Sequence, residues 1–322
     1  MLGAFMVAAT LGAQTNAPPK RGHHSLVYDE TRRRVLLTGG STPVDGGRSF
    51  VFFNDLWEFD GKTWTSLTAS GEKLSGMGLA FDAHNQRVVS LGGFNGRAAV
   101  ADVRVLENNA WRTIGSHTEM PAAEPGFVYD SRRNVFVAFG GSTESRQVHG
   151  RTWELNGTVW TEVSRDSNPP ARQSHVMVYD NRRRKIVLFG GMGAGPSGQP
   201  PPSLGDTWEF DGRSWTQRQV AGPSPRNGAG ATYDSRRGLV IVFGGAGAGG
   251  FLADTWSWDG SEWKKLSDSG PPARAMGYIA YDKARDRVVL FGGRQGYPDG
   301  DLNDTWEWDG NAWRNVSTPP AR

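Results

Sequence analysis

The 322-residue chain contains no cysteine, which excludes disulfide staples, thiolate metal sites and cysteine nucleophiles. Histidine is scarce as well. His23, His24, His84, His117, His149 and His175 follow no metal-ligand spacing, so the expectation is no metal and no cofactor. No charge of one sign dominates: 36 Lys and Arg face 33 Asp and Glu, a net charge of +3 that makes no case for nucleic acid or a membrane surface. Long apolar runs are missing except at residues 2–12, too short to span a bilayer. That run suits the core of a signal peptide, with Leu11-Gly12-Ala13 ahead of a cut before Gln14, although no Lys or Arg precedes Lys20. Residues 1–17 therefore read as an apolar segment and signal peptide, and the expected location is periplasmic or secreted.

What the chain has is repetition. An acid lies ten residues before a Gly-Gly pair six times: Asp29/Gly39, Asp82/Gly92, Asp130/Gly140, Asp180/Gly190, Asp234/Gly244 and Asp282/Gly292. A tryptophan closes each unit, at Trp64, Trp111, Trp160, Trp215, Trp263 and Trp313. A period near fifty residues means a solenoid, propeller or array.

Residues 172–218 show the physics of one unit. Two β-rich runs, 175–179 and 185–189, flank the turn formers Asp180 and Asn181, which predicts a hairpin. Gly190-Gly191 ends the second strand. Thr207-Trp208-Glu209-Phe210 alternates large apolar with polar side chains, and Asp211-Gly212 turns it into a fourth strand carrying Trp215. Four antiparallel strands make a twisted sheet with two apolar faces, so neighbouring units must pack face to face around an axis. All thirteen tryptophans fall on third and fourth strands, where large aromatics fill the wedges between radial sheets.

The Gly-Gly pair, the variable loop, the Asp-x-Trp and the second Trp together resemble the kelch repeat over about residues 18–318. Adjacent Asp-Gly at 60–61, 211–212, 259–260 and 309–310 separates the pattern from the sialidase Asp-box. The resemblance implies an all-β, six-bladed kelch-type β-propeller with four antiparallel strands per blade. It is similar to bacterial kelch proteins, with the fold of the galactose-oxidase central domain and the sialic-acid mutarotases. One propeller is expected over 18–322, with blades at about 18–68, 69–115, 116–164, 165–219, 220–267 and 268–318. Galactose-oxidase copper chemistry needs a cysteine-modified tyrosine, which this chain cannot form.

Strand order sorts the loops onto two faces. The loop after Gly-Gly and the link to the next unit emerge on one, called upper here; the Tyr-Asp and Asp-Gly turns emerge on the lower. Lower-face arginines at 32–34, 132–133, 182–184, 236–237, 285 and 287 share their turns with aspartates, which favours pairing within the blade. On the upper face, arginine stands eight residues before the Tyr-Asp acid at Arg21, Arg172, Arg226 and Arg274; Leu74 and Ala122 break the series. The kelch resemblance implies that this segment opens the innermost strand and that its arginines line the channel mouth. Family members hold carboxylates there, and a guanidinium fork matches that geometry.

The long loops of blades 1 and 4 reinforce the upper face, the first with Arg48 and Phe50-Val51-Phe52-Phe53, the second with a Gly/Pro run at 193–202. Arg97, Arg146 and Arg294 lie in the corresponding loops of blades 2, 3 and 6. Blades 2 and 3 depart from the pattern, with Arg104 in place of the first tryptophan. The acidic run at 299–304 lacks the spaced ligands of a calcium loop.

The expected function is a binding scaffold that recognises an acidic ligand, glycan or peptide through Arg21, Arg172, Arg226, Arg274, Arg97 and Arg294. A protein or acidic small molecule is the expected partner and the chain is expected to be monomeric. Two alternatives stand beside it. One is a sugar epimerase or mutarotase acting on an acidic sugar, for which no catalytic residue can be assigned and Glu124 is the nearest acid/base candidate. The other is an assembly module that touches a protein through its rim loops.

Overall fold

A computed structural model describes residues 17–67, 71–117, 119–120, 122–143, 145, 147–163, 168–195 and 199–317. Residues 1–16 of the apolar segment 1–17, Arg146 and the last five residues lie outside them. Six four-stranded antiparallel sheets follow one another along the chain, each made from one contiguous stretch. Their first strands are Ser25–Asp29, Gly78–Asp82, Gly126–Asp130, Val176–Asp180, Gly230–Asp234 and Tyr278–Asp282. Each neighbours the next, and the last neighbours the first, so the sheets form a closed six-bladed propeller. Three short ribbons add to the upper face. The one at Ser41–Val44 and Ser49–Phe52 occupies the long blade 1 segment, which the sequence suggested only as a loop.

The turns obey the residue chemistry. Asp29 Oδ1 accepts the backbone N–H of Thr31 and Arg32, and Asp130, Asp234 and Asp282 do the same for the residues two and three further on. At the Asp-Gly turns, Asp60, Asp211, Asp259 and Asp309 hold the following N–H groups in the same way.

Apolar packing lies between blades. Six buried clusters fill the six junctions, from twelve buried residues between blades 2 and 3 to four (Leu36, Leu56, Val88 and Leu106) between blades 1 and 2. Two polar devices recur across them. In the first, the fourth-strand tryptophan gives its indole N–H to a third-strand threonine of the preceding blade: Trp215 to Thr152, Trp263 to Thr207, Trp313 to Thr255, and Trp64 to Thr305 across the ring closure, at 2.8–2.9 Å. Leu56 and Val103 stand at the threonine position in blades 1 and 2, and Trp111 and Trp160 are correspondingly half-exposed. Thr207→Val should therefore leave a buried indole donor unpaired and lower stability by about 1–3 kcal/mol, measured by urea denaturation.

In the second device, a lower-face arginine bound to its own turn acid reaches the turn between the third and fourth strands of the next blade. Arg133 contacts Gly212 O at 3.3 Å, Arg237 contacts Asp309 O at 2.8 Å, and Arg32 reaches Asn109 at 2.7 Å. A Cβ at Gly310 would stand 2.6 Å from the Arg237 guanidinium and push it aside, and φ there is +103°, a conformation that favours glycine. Blade 2 has Asn85 in place of the arginine, and nothing approaches Gly157 in blade 3. The lower-face arginines thus pair within the blade, as with Arg133 to Asp130 and Glu154, and also clamp its neighbour.

Candidate functional site

The four arginines expected to ring the channel mouth do not face it. Arg21, Arg172, Arg226 and Arg274 are 0–1 % exposed. Arg172 binds both oxygens of Asp206, at 2.6 and 2.7 Å, and also the carbonyls of Gly190 and Pro170. Arg21 pairs identically with Asp55, Arg226 with Asp254 and Arg274 with Asp304. Each acid is the first residue of an Asp-x-Trp triplet and also accepts that tryptophan's indole N–H, as Asp206 does from Trp208 at 2.7 Å. Burial opposes the charge on Asp206 and Asp254, but the arginine and tryptophan donors outweigh it and hold both carboxyls below the usual range. This corrects the expectation of an anion site at these positions. A buried guanidinium whose donors already serve a carboxylate and two carbonyls has no fork left for a ligand.

The other two arginines differ. Arg294 binds Asp301 at 2.6 Å and lies beneath the rings of Phe50 and Tyr297, about 6 Å from each centroid. Arg97 is exposed, as is Arg48, and neither makes an ion pair with a described residue. In blade 2, Arg104 takes the tryptophan position and binds Glu72 and Asp102.

The aromatic run of blade 1 divides its labour. Phe53 packs its ring 4.0 Å from the Arg21 guanidinium carbon. Phe52 meets Phe94 of blade 2 edge-on. Phe50, 42 % exposed, meets Tyr297 of blade 6, 60 % exposed, and Val51 beside it is exposed too. Tyr297 donates its hydroxyl to Gly47 O, which fixes the ring over the ribbon. An aromatic ridge therefore crosses blades 6, 1 and 2 on the upper rim, with Arg48 and Arg97 in its flanking loops. The run Phe50-Val51-Phe52 signalled it; the contribution of Tyr297 from a different blade was not visible in sequence.

On the axis, one residue per blade adopts a left-handed conformation: His23, Gly76, Glu124, Ser174, Gly228 and Met276, with φ between +52° and +63°. Each donates its N–H to the carbonyl of the preceding one, and His23 donates to Met276, so six hydrogen bonds of 2.8–3.4 Å form an endless circuit. Glu124 is not beside the arginines. Its carboxylate accepts from His23 Nδ1 at 2.8 Å and from Ser174 Oγ. Burial opposes its ionisation, yet His23 and the two hydrogen bonds hold its pKa below the ordinary glutamate range.

Below this circuit the channel narrows. Leu26, Leu79, Phe127, Met177, Ala231 and Ile279, one per blade, line both an upper chamber of about 130 Å³ and a lower one of about 320 Å³. Among the described residues, no group of three or more His, Asp or Glu is placed to hold a metal ion, and no helix is long and apolar enough to cross a membrane.

Six radial four-stranded sheets bearing Gly-Gly, Asp-x-Trp and closing tryptophan define a kelch β-propeller, a domain that generally mediates protein interactions. The KLHDC2/KLHL20/DRC7 Kelch-repeats domain model matches residues 6–191, more than half of the chain, and the chain belongs to that family. It is similar to Dynein regulatory complex subunit 7 of Chlamydomonas reinhardtii, 29% identical over 130 residues, covering 36% of this chain and 10% of that protein. It is also similar to the Dynein alpha chain, flagellar outer arm, of the same alga, 26% identical over 150 residues, covering 44% of this chain and 3% of that protein. Mei4-dependent protein 6 of Schizosaccharomyces pombe is 29% identical over 129 residues, 37% of this chain and 18% of that protein. The matched region is thus less than a fifth of each relative. All three come from eukaryotes, and none carries the expected likeness to bacterial kelch proteins, to the galactose-oxidase central domain or to the sialic-acid mutarotases.

Proposed function

We propose that the chain is a protein-binding module that takes an apolar, acidic partner segment across blades 6, 1 and 2 of its upper rim. The observation that carries this is the exposed ridge of Phe50, Val51 and Tyr297, whose two aromatic rings are pinned by Arg294 and the Tyr297 hydroxyl bond. Rigid aromatic side chains lose little entropy on binding and dominate interface energies. Arg48 and Arg97, which make no ion pair with a described residue, supply the positive complement for partner carboxylates, so the acidic character expected of the ligand moves from the buried arginines to these two. A protein contact through rim loops and an acidic partner are then one reading. A displayed peptide library selected on the intact chain tests it. Peptides combining aromatic and acidic residues should be enriched, and Phe50→Ser with Tyr297→Ser should weaken them by about 2 kcal/mol or more. Arg48→Glu with Arg97→Glu should weaken them again while leaving the melting temperature unchanged. Enriched peptides that bind all three proteins equally would sink the proposal.

A further inference from the structure

The lower mouth of the channel has its own chemistry, independent of the rim. The chamber behind it, of about 320 Å³, is walled by the first strands of the six blades, and each of these is the edge of its sheet. Alternate peptide groups of an edge strand point away from the sheet, here toward the axis. Tyr281 shows the direction, since its N–H reaches Thr232 Oγ1 of blade 5 at 3.1 Å. The register is the same in every blade: Tyr281 stands opposite Val288 as Tyr28 does opposite Val35 and Tyr179 opposite Ile186. Val27, Ala80, Val128, Val178 and Ala280 occupy the place of Thr232 and have no oxygen to offer. The N–H groups of Tyr28, Phe81, Tyr129, Tyr179 and Tyr233 therefore lack the partner that Tyr281 has, and with their carbonyls they leave the wall open to hydrogen bonding.

Charge at the mouth is uneven. Ser131, Asn181 and Ser235 line it on blades 3, 4 and 5, and each is followed by an exposed arginine, Arg132, Arg182 or Arg236. The acids of those turns, Asp130, Asp180 and Asp234, are taken by Arg133, Arg183 and Arg237. Arg132 and Arg182 make no ion pair with a described residue, and Arg236 meets Asp286 at 3.2 Å. On the opposite side Glu30 and Lys283 neutralise each other at 2.5 Å.

We propose that this mouth binds a small polyhydroxylated molecule bearing one oxyanion, with the anionic group at Arg132 and Arg182 and the hydroxyls against the strand edges inside. A hydroxyl both donates and accepts, which matches a wall of alternating N–H and C=O groups. A guanidinium matches a carboxylate or a phosphate and stays charged at every working pH. The chamber is of the size at which small-molecule sites begin, about 300 Å³. A bare anion would leave the wall unused, and a neutral polyol would leave the arginines unused. The oxyanion is either a phosphate or a carboxylate.

The test is titration of the whole chain, isotope-labelled at its tyrosine amides, with inositol monophosphate and with glucuronate. Inositol and inorganic phosphate serve as comparisons. Saturable shifts of the Tyr28, Tyr129, Tyr179 and Tyr233 amide signals are expected, while Tyr297 on the upper rim stays in place. Binding should weaken about tenfold or more in Arg132→Gln with Arg182→Gln, two exposed positions whose loss leaves the melting temperature unchanged. If that variant loses its melting transition, Ser131→Asp with Ser235→Asp serves in its place, since like charge at the mouth should weaken binding equally. Response to inositol monophosphate alone identifies a phosphate, response to glucuronate alone a carboxylate, and response to both a site for either. Absence of saturation with both compounds, equal affinity for inositol or for inorganic phosphate, or undiminished binding in the variant would overturn the site.

Discussion

Replacing Arg172 with alanine is expected to destabilise the propeller by about 3 kcal/mol, because it removes a fully buried side chain and strands Asp206 as a partly buried, uncompensated carboxylate. The loss should appear as a lower denaturation midpoint in urea. Arg21→Ala, Arg226→Ala and Arg274→Ala should behave alike, since each arginine makes the same two bonds to its aspartate. Removing both partners gives the informative comparison. Arg172→Leu with Asp206→Leu should recover a large part of the loss, because no charge is then left alone, although the Trp208 indole still loses its acceptor. Two blades already do without the pair: Leu74 and Ala122 stand where the arginine would be. A single variant that is as stable as the wild type would show that the clamp is dispensable. The experiment also guards against a misreading, since a ligand response lost in such a variant would report unfolding.

The second large effect concerns acid. His24 and His175 occupy equivalent places and pack edge-on against Phe291 and Phe139 of the preceding blades. Burial is the main cause that lowers both pKa values, followed by Arg21 and Arg172 respectively; that of His175 falls to about 3. An unfolded histidine titrates near 6.5. The unfolded chain therefore binds more protons than the native one between about pH 6.5 and 3, and stability falls as the pH drops through that window. Each histidine contributes a slope of about 1.4 kcal/mol per pH unit. Met77 holds the same place in blade 2, so methionine is a substitute that this position already accepts. The double variant His24→Met with His175→Met should flatten the loss between pH 6 and 4.5. Chemical denaturation of both proteins across that range is the measurement, and parallel curves would refute the assignment.

Much of this architecture was legible because packing between radial sheets must repeat. Trp64, Trp215, Trp263 and Trp313 recur with threonines Thr305, Thr152, Thr207 and Thr255, and periodic large aromatics have few other uses. The role of the upper arginines was misjudged, although the chain held the decisive clue. Arg21, Arg172, Arg226 and Arg274 each occur with an Asp-x-Trp aspartate, and blade 3 loses both together, with Ala122 and Arg151. In blade 2 the surviving Asp102 is bound by Arg104 instead. Residues that appear and vanish as a pair within one chain satisfy each other. The ridge and the upper chamber were illegible for a different reason: Tyr297 with Phe50, and Glu124 with His23, Ser174 and His175, meet only when blades distant in sequence are brought around the axis.

The junction between blades 1 and 2 has four buried residues in its apolar cluster and no tryptophan-to-threonine bond. A closed bracelet comes apart at its loosest clasp, and here that clasp lies beneath the place where Phe52 of blade 1 leans on Phe94 of blade 2. Parting it would break the axial circuit where Gly76 donates to His23. A partner seated along the ridge would bridge the clasp from above and favour the closed ring in proportion to how tightly it binds. Breathing of the ring and occupancy of its rim are thereby two readings of one equilibrium.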